Sequence, residues 1–185
     1  MQRPITDNPL WKERFLSILE DLVVRESPSS SKKDLDLLAE FIKDEFKERG
    51  CIVETIAMTD TGNHLRAKWQ PANTSTDLAP LLVLCHMDTV WDVGTIEDMP
   101  FRIGGDLAWG PGTLDMKAGI AMGLVAMDIL IGRGSNPHRP ITFLINSDEE
   151  IGSPSSRALI EAEAQKSGYV IVLEGAQPGS GACNT

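Results

Sequence analysis

Three apolar runs in this 185-residue chain stop abruptly at groups that bind protons or metals, and this coincidence constrains the fold most. Leu81-Leu82-Val83-Leu84-Cys85 runs into His86, with Asp88 two residues on; Ile141-Thr142-Phe143-Leu144-Ile145 leads to Asp148-Glu149-Glu150; Tyr169-Val170-Ile171-Val172-Leu173 ends at Glu174. Short continuous apolar runs are the pattern of strands buried on both faces of a parallel sheet. Helical stretches separate them, one from about Lys117 to Ile131, closed by Gly132-Arg133-Gly134, and one from about Pro154 to Lys166. Strand, helix, strand, helix, strand predicts an α/β fold, a mostly parallel sheet flanked by helices, with ligands beyond the carboxyl ends of the strands.

The first third of the chain reads as two helices and a hairpin. Leu10, Trp11, Phe15, Ile18, Leu19 and Leu22 recur at helical spacing up to Ser27-Pro28; Leu35, Leu38, Ile42 and Phe46 share a face, with Ser31 as the expected cap and Gly50 just past the end. Cys51 to Ala57 and His64 to Trp69 read as strands around Thr61-Gly62-Asn63. Pro71 to Pro80 is a polar loop, and Thr89 to Pro111, with Gly94, Gly104, Gly105 and Gly110, is a long crossing loop with at most short pairing. Gly119 and Gly123, four apart in the central helix, predict close helix packing.

Composition removes several function classes. With 17 Lys+Arg against 27 Asp+Glu, a net charge of −10 and no basic run, a nucleic-acid partner is not expected. The longest apolar stretch, Ala118 to Ile131, falls short of the ~20 residues a bilayer needs and carries Asp128. The first residues hold no apolar leader core, so the expected location is cytoplasmic and the sequon Asn73-Thr74-Ser75 carries no weight. Cys51, Cys85 and Cys183 are odd in number and widely spaced, and read as thiols. Phosphate-loop, dinucleotide and Gly-x-Ser-x-Gly patterns are missing, and Asp60-Thr61-Gly62 lies in a polar turn without the second carboxylate an aspartic protease shares its proton with.

If the three strands are neighbours, His86, Asp88, Glu149, Glu150 and Glu174 meet on one rim with Asp115 from the Gly110-Pro111-Gly112 loop. Ionised carboxylates crowd together only at a cost in repulsion and desolvation, which divalent cations remove. Imidazole with carboxylates suits zinc, with cobalt or manganese as substitutes. Two ions roughly 3.5–4 Å apart need a bridging carboxylate, a place that fits Asp115. His86 and Asp88 fall on one side of extended backbone, so Asp88 can accept from the second imidazole nitrogen. Adjacent Glu149 and Glu150 point different ways, leaving one to bind metal and the other free as general base.

Leu84-Cys85-His86-Met87-Asp88-Thr89-Val90, Gly110-Pro111-Gly112-Thr113-Leu114-Asp115-Met116-Lys117 and Asn146-Ser147-Asp148-Glu149-Glu150-Ile151-Gly152-Ser153 together resemble the signature blocks of the co-catalytic zinc peptidases. That family includes glutamate carboxypeptidase (carboxypeptidase G), aminoacylase, acetylornithine deacetylase and succinyl-diaminopimelate desuccinylase. The resemblance implies that His86 and Glu174 hold one Zn2+, Glu150 the second, Asp115 bridges, Asp88 orients His86, and Glu149 is the general base. It also implies a cis peptide at Asp115-Met116, and a metallopeptidase that hydrolyses amide bonds of small peptides or N-acyl amino acids. Glutamate at position 174 is similar to the carboxypeptidase and deacylase members, with aminopeptidase or dipeptidase activity as the alternative. Members of the family insert a lid domain, used for dimerisation, after the strand that ends here, and take a last histidine from beyond it. Residues 1–185 therefore read as the N-terminal portion of the catalytic domain, with the homodimer built through a lid outside these residues. The expectation for the 185 residues alone is a partial metal site, at most one tightly bound zinc, and no measurable hydrolysis. Neither His64 nor His138 is an evident substitute ligand.

Overall fold

The computed structural model describes residues 8–75 and 77–176, so Cys183 and the leader reading of the first residues lie outside the described residues. Helices α1 (Pro9–Val23) and α2 (Lys32–Glu48) precede strands β1 (Ile52–Ile56), β2 (His64–Trp69) and β3 (Leu81–His86). A four-residue helix α3 (Thr95–Asp98) and a small hairpin of β4 (Arg102–Gly104) and β5 (Leu107–Trp109) follow. Helix α4 (Ala118–Gly132), strand β6 (Ile141–Asn146), helix α5 (Arg157–Lys166) and strand β7 (Tyr169–Val172) complete the chain. The crossing loop is thus partly ordered by pairing over three residues a side.

The main sheet runs β1-β2-β6-β3-β7. β1 and β2 form the expected hairpin and β2 joins β6 antiparallel, while β3 lies parallel to both β6 and β7. The parallel register pairs His86 with Asn146 and Leu84 with both Leu144 and Val172, so three carboxyl ends open on one side. The chain steps from β3 to β6 on one flank and returns to β7 on the other, which makes β3 the point where strand order reverses and a crevice forms.

The core lies between the sheet and the layer of α1, α2 and α4. Leu22, Leu35, Leu38, Ile42 and Leu124 are fully buried there, and the Phe46 and Phe143 rings meet at 4.8 Å. Ile160 of α5 shares a cleft with Leu84 and Val172, residues that point away from α4, which places α5 on the opposite face. The close packing expected of α4 is present: a Cβ on Gly119 would sit 2.1 Å from the main-chain oxygen of Leu173, and one on Gly123 3.1 Å from Phe143. Because the neighbour at Gly119 is backbone, Gly119→Ala is expected to cost about 1–3 kcal/mol, read as a lower urea midpoint with an unchanged slope. A midpoint within error of the parent would show that α4 can move away from β7.

Two expectations need correction. The run Tyr169–Leu173 forms the strand, but Tyr169 to Val172 are 45–63% exposed, because β7 is the edge of the sheet and pairs only with β3 among the described residues. Ser31 stands at the α2 N-cap, yet its hydroxyl donates to Asp34 instead of accepting a helix N–H. Lys117, at the start of α4, points inward. It is 1% exposed and its Nζ donates to the Arg25 carbonyl at 2.8 Å, burial pushing its pKa down to about 7 with Glu26 opposing. No helix among the described residues is long and apolar enough to cross a membrane.

Candidate metal centre

His86 is the last residue of β3 and is 1% exposed. Its Nδ1 faces Asp88, 3.0 Å from the main-chain oxygen and 3.3 Å from Oδ1, and this leaves Nε2 directed at the crevice. Around Nε2 stand Asp115 Oδ1 at 3.0 Å, Glu174 Oε1 at 3.2 Å and Glu149 Oε2 at 3.7 Å. Donor atoms of His86, Asp115 and Glu150 all lie within 4.8 Å of one another. The expected residues are therefore at or beside the crevice, His86 and Asp88 from the end of β3, Asp115 from its loop, Glu149 and Glu150 from the turn after β6, and Glu174 from the segment after β7.

Local structure explains each placement. Asp115 comes from the turn Thr113–Lys117, in extended backbone (φ −116°, ψ 98°), with a cis peptide to Met116. Gly112 needs φ +68°, and a Cβ there would meet Thr89 at 2.5 Å, so this loop passes against the end of β3 only as glycine. Met116 is buried, and its sulfur accepts the main-chain N–H of His86 at 3.0 Å, tying the loop to the strand. Glu174 follows Leu173, whose N–H continues the β7 ladder to Leu84. Asp88, fully buried, accepts from Ser29 Oγ (2.8 Å), the Glu149 N–H (3.2 Å) and the Glu150 N–H (3.1 Å). One carboxylate thus fixes the imidazole's surroundings and the backbone of both glutamates.

The electrostatics favour a cation. Burial alone would lower the His86 imidazole, but Asp88 and Glu174 outweigh it and push the pKa up to about 11. Glu149 and Glu150 are both raised, by burial first and then by neighbouring carboxylates. An imidazole ringed by carboxylates is a site whose crowded negative charge a divalent ion would balance. Imidazole nitrogen with carboxylate oxygens is a donor set that fits zinc.

Several supporting residues escape sequence reasoning. Ser27 Oγ donates to the Met87 carbonyl at 2.7 Å, and Thr89 exchanges main-chain bonds with Ser27 and Ser29, so the stretch between α1 and α2 buttresses the His86 loop. Its serines read only as a helix stop. His64 is fully buried, bonded to Ser147 N at 3.2 Å and Ser155 Oγ at 3.0 Å. Burial lowers its pKa, with Asp148 and Asp88 opposing, so the folded state holds fewer protons than the unfolded chain below about pH 6.5. Stability is expected to be full above that pH and to fall as the pH drops through it. Urea midpoints between neutral and mildly acid pH measure this, and an equally steep fall in His64→Gln would place the acid sensitivity elsewhere.

Residues 82–184 match the model of peptidase family M20/M25/M40. Carboxypeptidase G2 of Pseudomonas sp. (strain RS-16) is 34% identical over 161 residues, covering 86% of this chain and 38% of its own length. Human carnosine dipeptidase 1 superposes with a TM-score of 0.77 at 16% identity, over 91% of this chain and 40% of that one. An M20 family metallo-carboxypeptidase from Sulfolobus solfataricus gives 0.72 at 21% identity, over 90% and 38%. The chain spans about two fifths of the length of these relatives. With the α/β sheet, the histidine and carboxylates at its strand ends and a family match over more than half its residues, the chain belongs to peptidase family M20/M25/M40.

Proposed function

We propose that this chain is the ligand-bearing N-terminal part of a dinuclear zinc hydrolase that cleaves the amide bond of N-acyl amino acids or C-terminal glutamate-type peptides. The carrying observation is the convergence of Asp115, Glu174 and Glu149 on His86 Nε2, with Glu150 completing the His86–Asp115 group. In this reading His86 and Glu174 hold one zinc, Glu150 holds the second, and Asp115 is shared. Bound there, the ions supply Lewis acidity and an acidified water. Asp88 holds the imidazole and the two glutamate backbones in place. Glu149 takes the proton of the attacking water and passes it to the leaving nitrogen. The substrate class is supported by the glutamate at 174 and the 34% identity to Carboxypeptidase G2. The buried thiols Cys51 and Cys85 suit the reducing cytoplasm.

Calorimetric zinc titration alongside hydrolysis assays tests this reading. N-acyl-glutamates are the expected substrates of the full-length polypeptide; preference for amino-terminal dipeptides would move the assignment to the aminopeptidase branch, and absence of zinc binding would overturn it. Among the described residues the second ion finds only Glu150 and a share of Asp115, so residues 1–185 alone are expected to bind one zinc tightly and hydrolyse nothing measurable. Two tight sites would overturn that part.

A further inference from the structure

A largely buried hydrogen-bonded chain reaches the Glu149–Glu150 turn from the hairpin side. His64 opens β2, with Nδ1 3.2 Å from the main-chain nitrogen of Ser147 and Nε2 3.0 Å from Ser155 Oγ. Ser155 Oγ lies 2.7 Å from Asp148 Oδ2, which also accepts the N–H groups of Ser155 (2.7 Å) and Ser156 (3.1 Å). Asp148 Oδ1 accepts from Ser156 Oγ at 2.6 Å and Asn146 Nδ2 at 3.4 Å.

Counting donors assigns each proton. An ionised carboxylate only accepts, so the Ser155 hydroxyl hydrogen goes to Asp148 and its oxygen accepts from His64 Nε2. A main-chain N–H only donates, so His64 Nδ1 carries the lone pair that receives Ser147. The Ser147 hydroxyl, also near Nδ1, donates instead to the Gly62 carbonyl. His64 is therefore neutral, in the Nε2–H form. The Asp148 carboxyl is held below its ordinary range because, although burial raises it, the serine and asparagine donors outweigh that effect.

The turn Ser147–Glu150 is consequently gripped from three sides: by His64 at Ser147, by Ser155 and Ser156 at Asp148, and by Asp88 at the N–H groups of Glu149 and Glu150. We infer that His64 is a positioning residue, which as the Nε2–H tautomer sets, through Ser147 and the Ser155–Asp148 pair, the orientation of the turn that carries Glu149 and Glu150. The inference rests on the metallohydrolase reading for the roles of those two glutamates, but the tautomer and the grip on the turn are properties of the chain itself.

The test has two arms on the full-length polypeptide. Long-range proton–nitrogen correlations of His64 at neutral pH are expected to show a single neutral Nε2–H tautomer; an Nδ1–H tautomer or an imidazolium overturns the inference, and this arm needs no variant. In the second arm, Ser155→Ala removes the hydroxyl relay without adding volume. It is expected to lower kcat about tenfold to a hundredfold, because slight misplacement of reacting groups is costly, with KM little changed. Zinc affinity at the Glu150 side is expected to weaken, and Ser155→Thr, which keeps the hydroxyl, is expected to restore both. A Ser155→Ala protein with parental kcat and zinc affinity overturns the inference alone. A parent that binds no zinc overturns the metallohydrolase reading and the positioning role together.

Discussion

Glu149→Ala in the full-length polypeptide is expected to lower kcat by about 10²–10⁴ while leaving zinc stoichiometry unchanged, the range that a general base contributes. Glu149 comes to 3.7 Å from His86 Nε2 but is not one of the three residues, His86, Asp115 and Glu150, whose donor atoms all lie within 4.8 Å of one another, so its removal takes no donor from that group. Its side chain is half exposed, open to a water and a substrate in the crevice. Its backbone is pinned by the bond from its N–H to Asp88 Oδ1, so truncation beyond Cβ need not disturb the turn. Parallel zinc analysis and steady-state kinetics make the measurement. A variant that keeps substantial turnover would remove Glu149 from the chemistry, and one that loses zinc would make it a ligand.

Much of this arrangement is legible in the sequence because the strands announce themselves twice, by their apolar runs and by the polar residues that end them. His86, Glu149, Glu150 and Glu174 sit at strand ends for that reason, and Asp115 is flagged by the glycines around its loop. What covers a strand is a different matter. Tyr169 to Val172 have the composition of a buried strand and stand exposed, since apolarity records what a segment seeks and not what packs on it. Side-chain direction is equally hidden. The sequence does not say where Lys117 points, and only the approach of the segment after α1 shows the Arg25 carbonyl that receives it. The His64 network is illegible for the same reason: its bonds span 83 and 91 residues and exist only once β2 lies beside β6. Asp88 shows its charge in the sequence, but the two N–H groups that it collects are set by the turn after β6.

Arg49 carries the largest stability effect expected outside the metal centre. Its side chain is 3% exposed, with Nη2 at 2.7 Å from Asp128 Oδ2 and Nη1 at 2.9 Å from Glu45 Oε2. Nη1 also donates to the Glu45 carbonyl at 2.7 Å and Nε to the Leu124 carbonyl at 3.3 Å, so one guanidinium joins the end of α2 to the middle of α4. Asp128 is the single charge in an otherwise apolar helix, and its partner lies 79 residues upstream. Replacing Arg49 with methionine keeps much of the stem's packing but strips Asp128 and two carbonyls of their buried donor. Breaking a buried pair from one side costs about 3–5 kcal/mol, and because Asp128 is a fifth exposed and keeps Arg14 at 3.4 Å, about 2–4 kcal/mol is expected. Asp128→Ala alone exposes a cation that still holds Glu45, so the double variant Arg49→Met/Asp128→Ala should be more stable than the sum of the two losses predicts. Urea denaturation of the four proteins measures the coupling; strict additivity would mean that the pair contributes no interaction of its own and that Arg49 acts through packing and its carbonyl bonds.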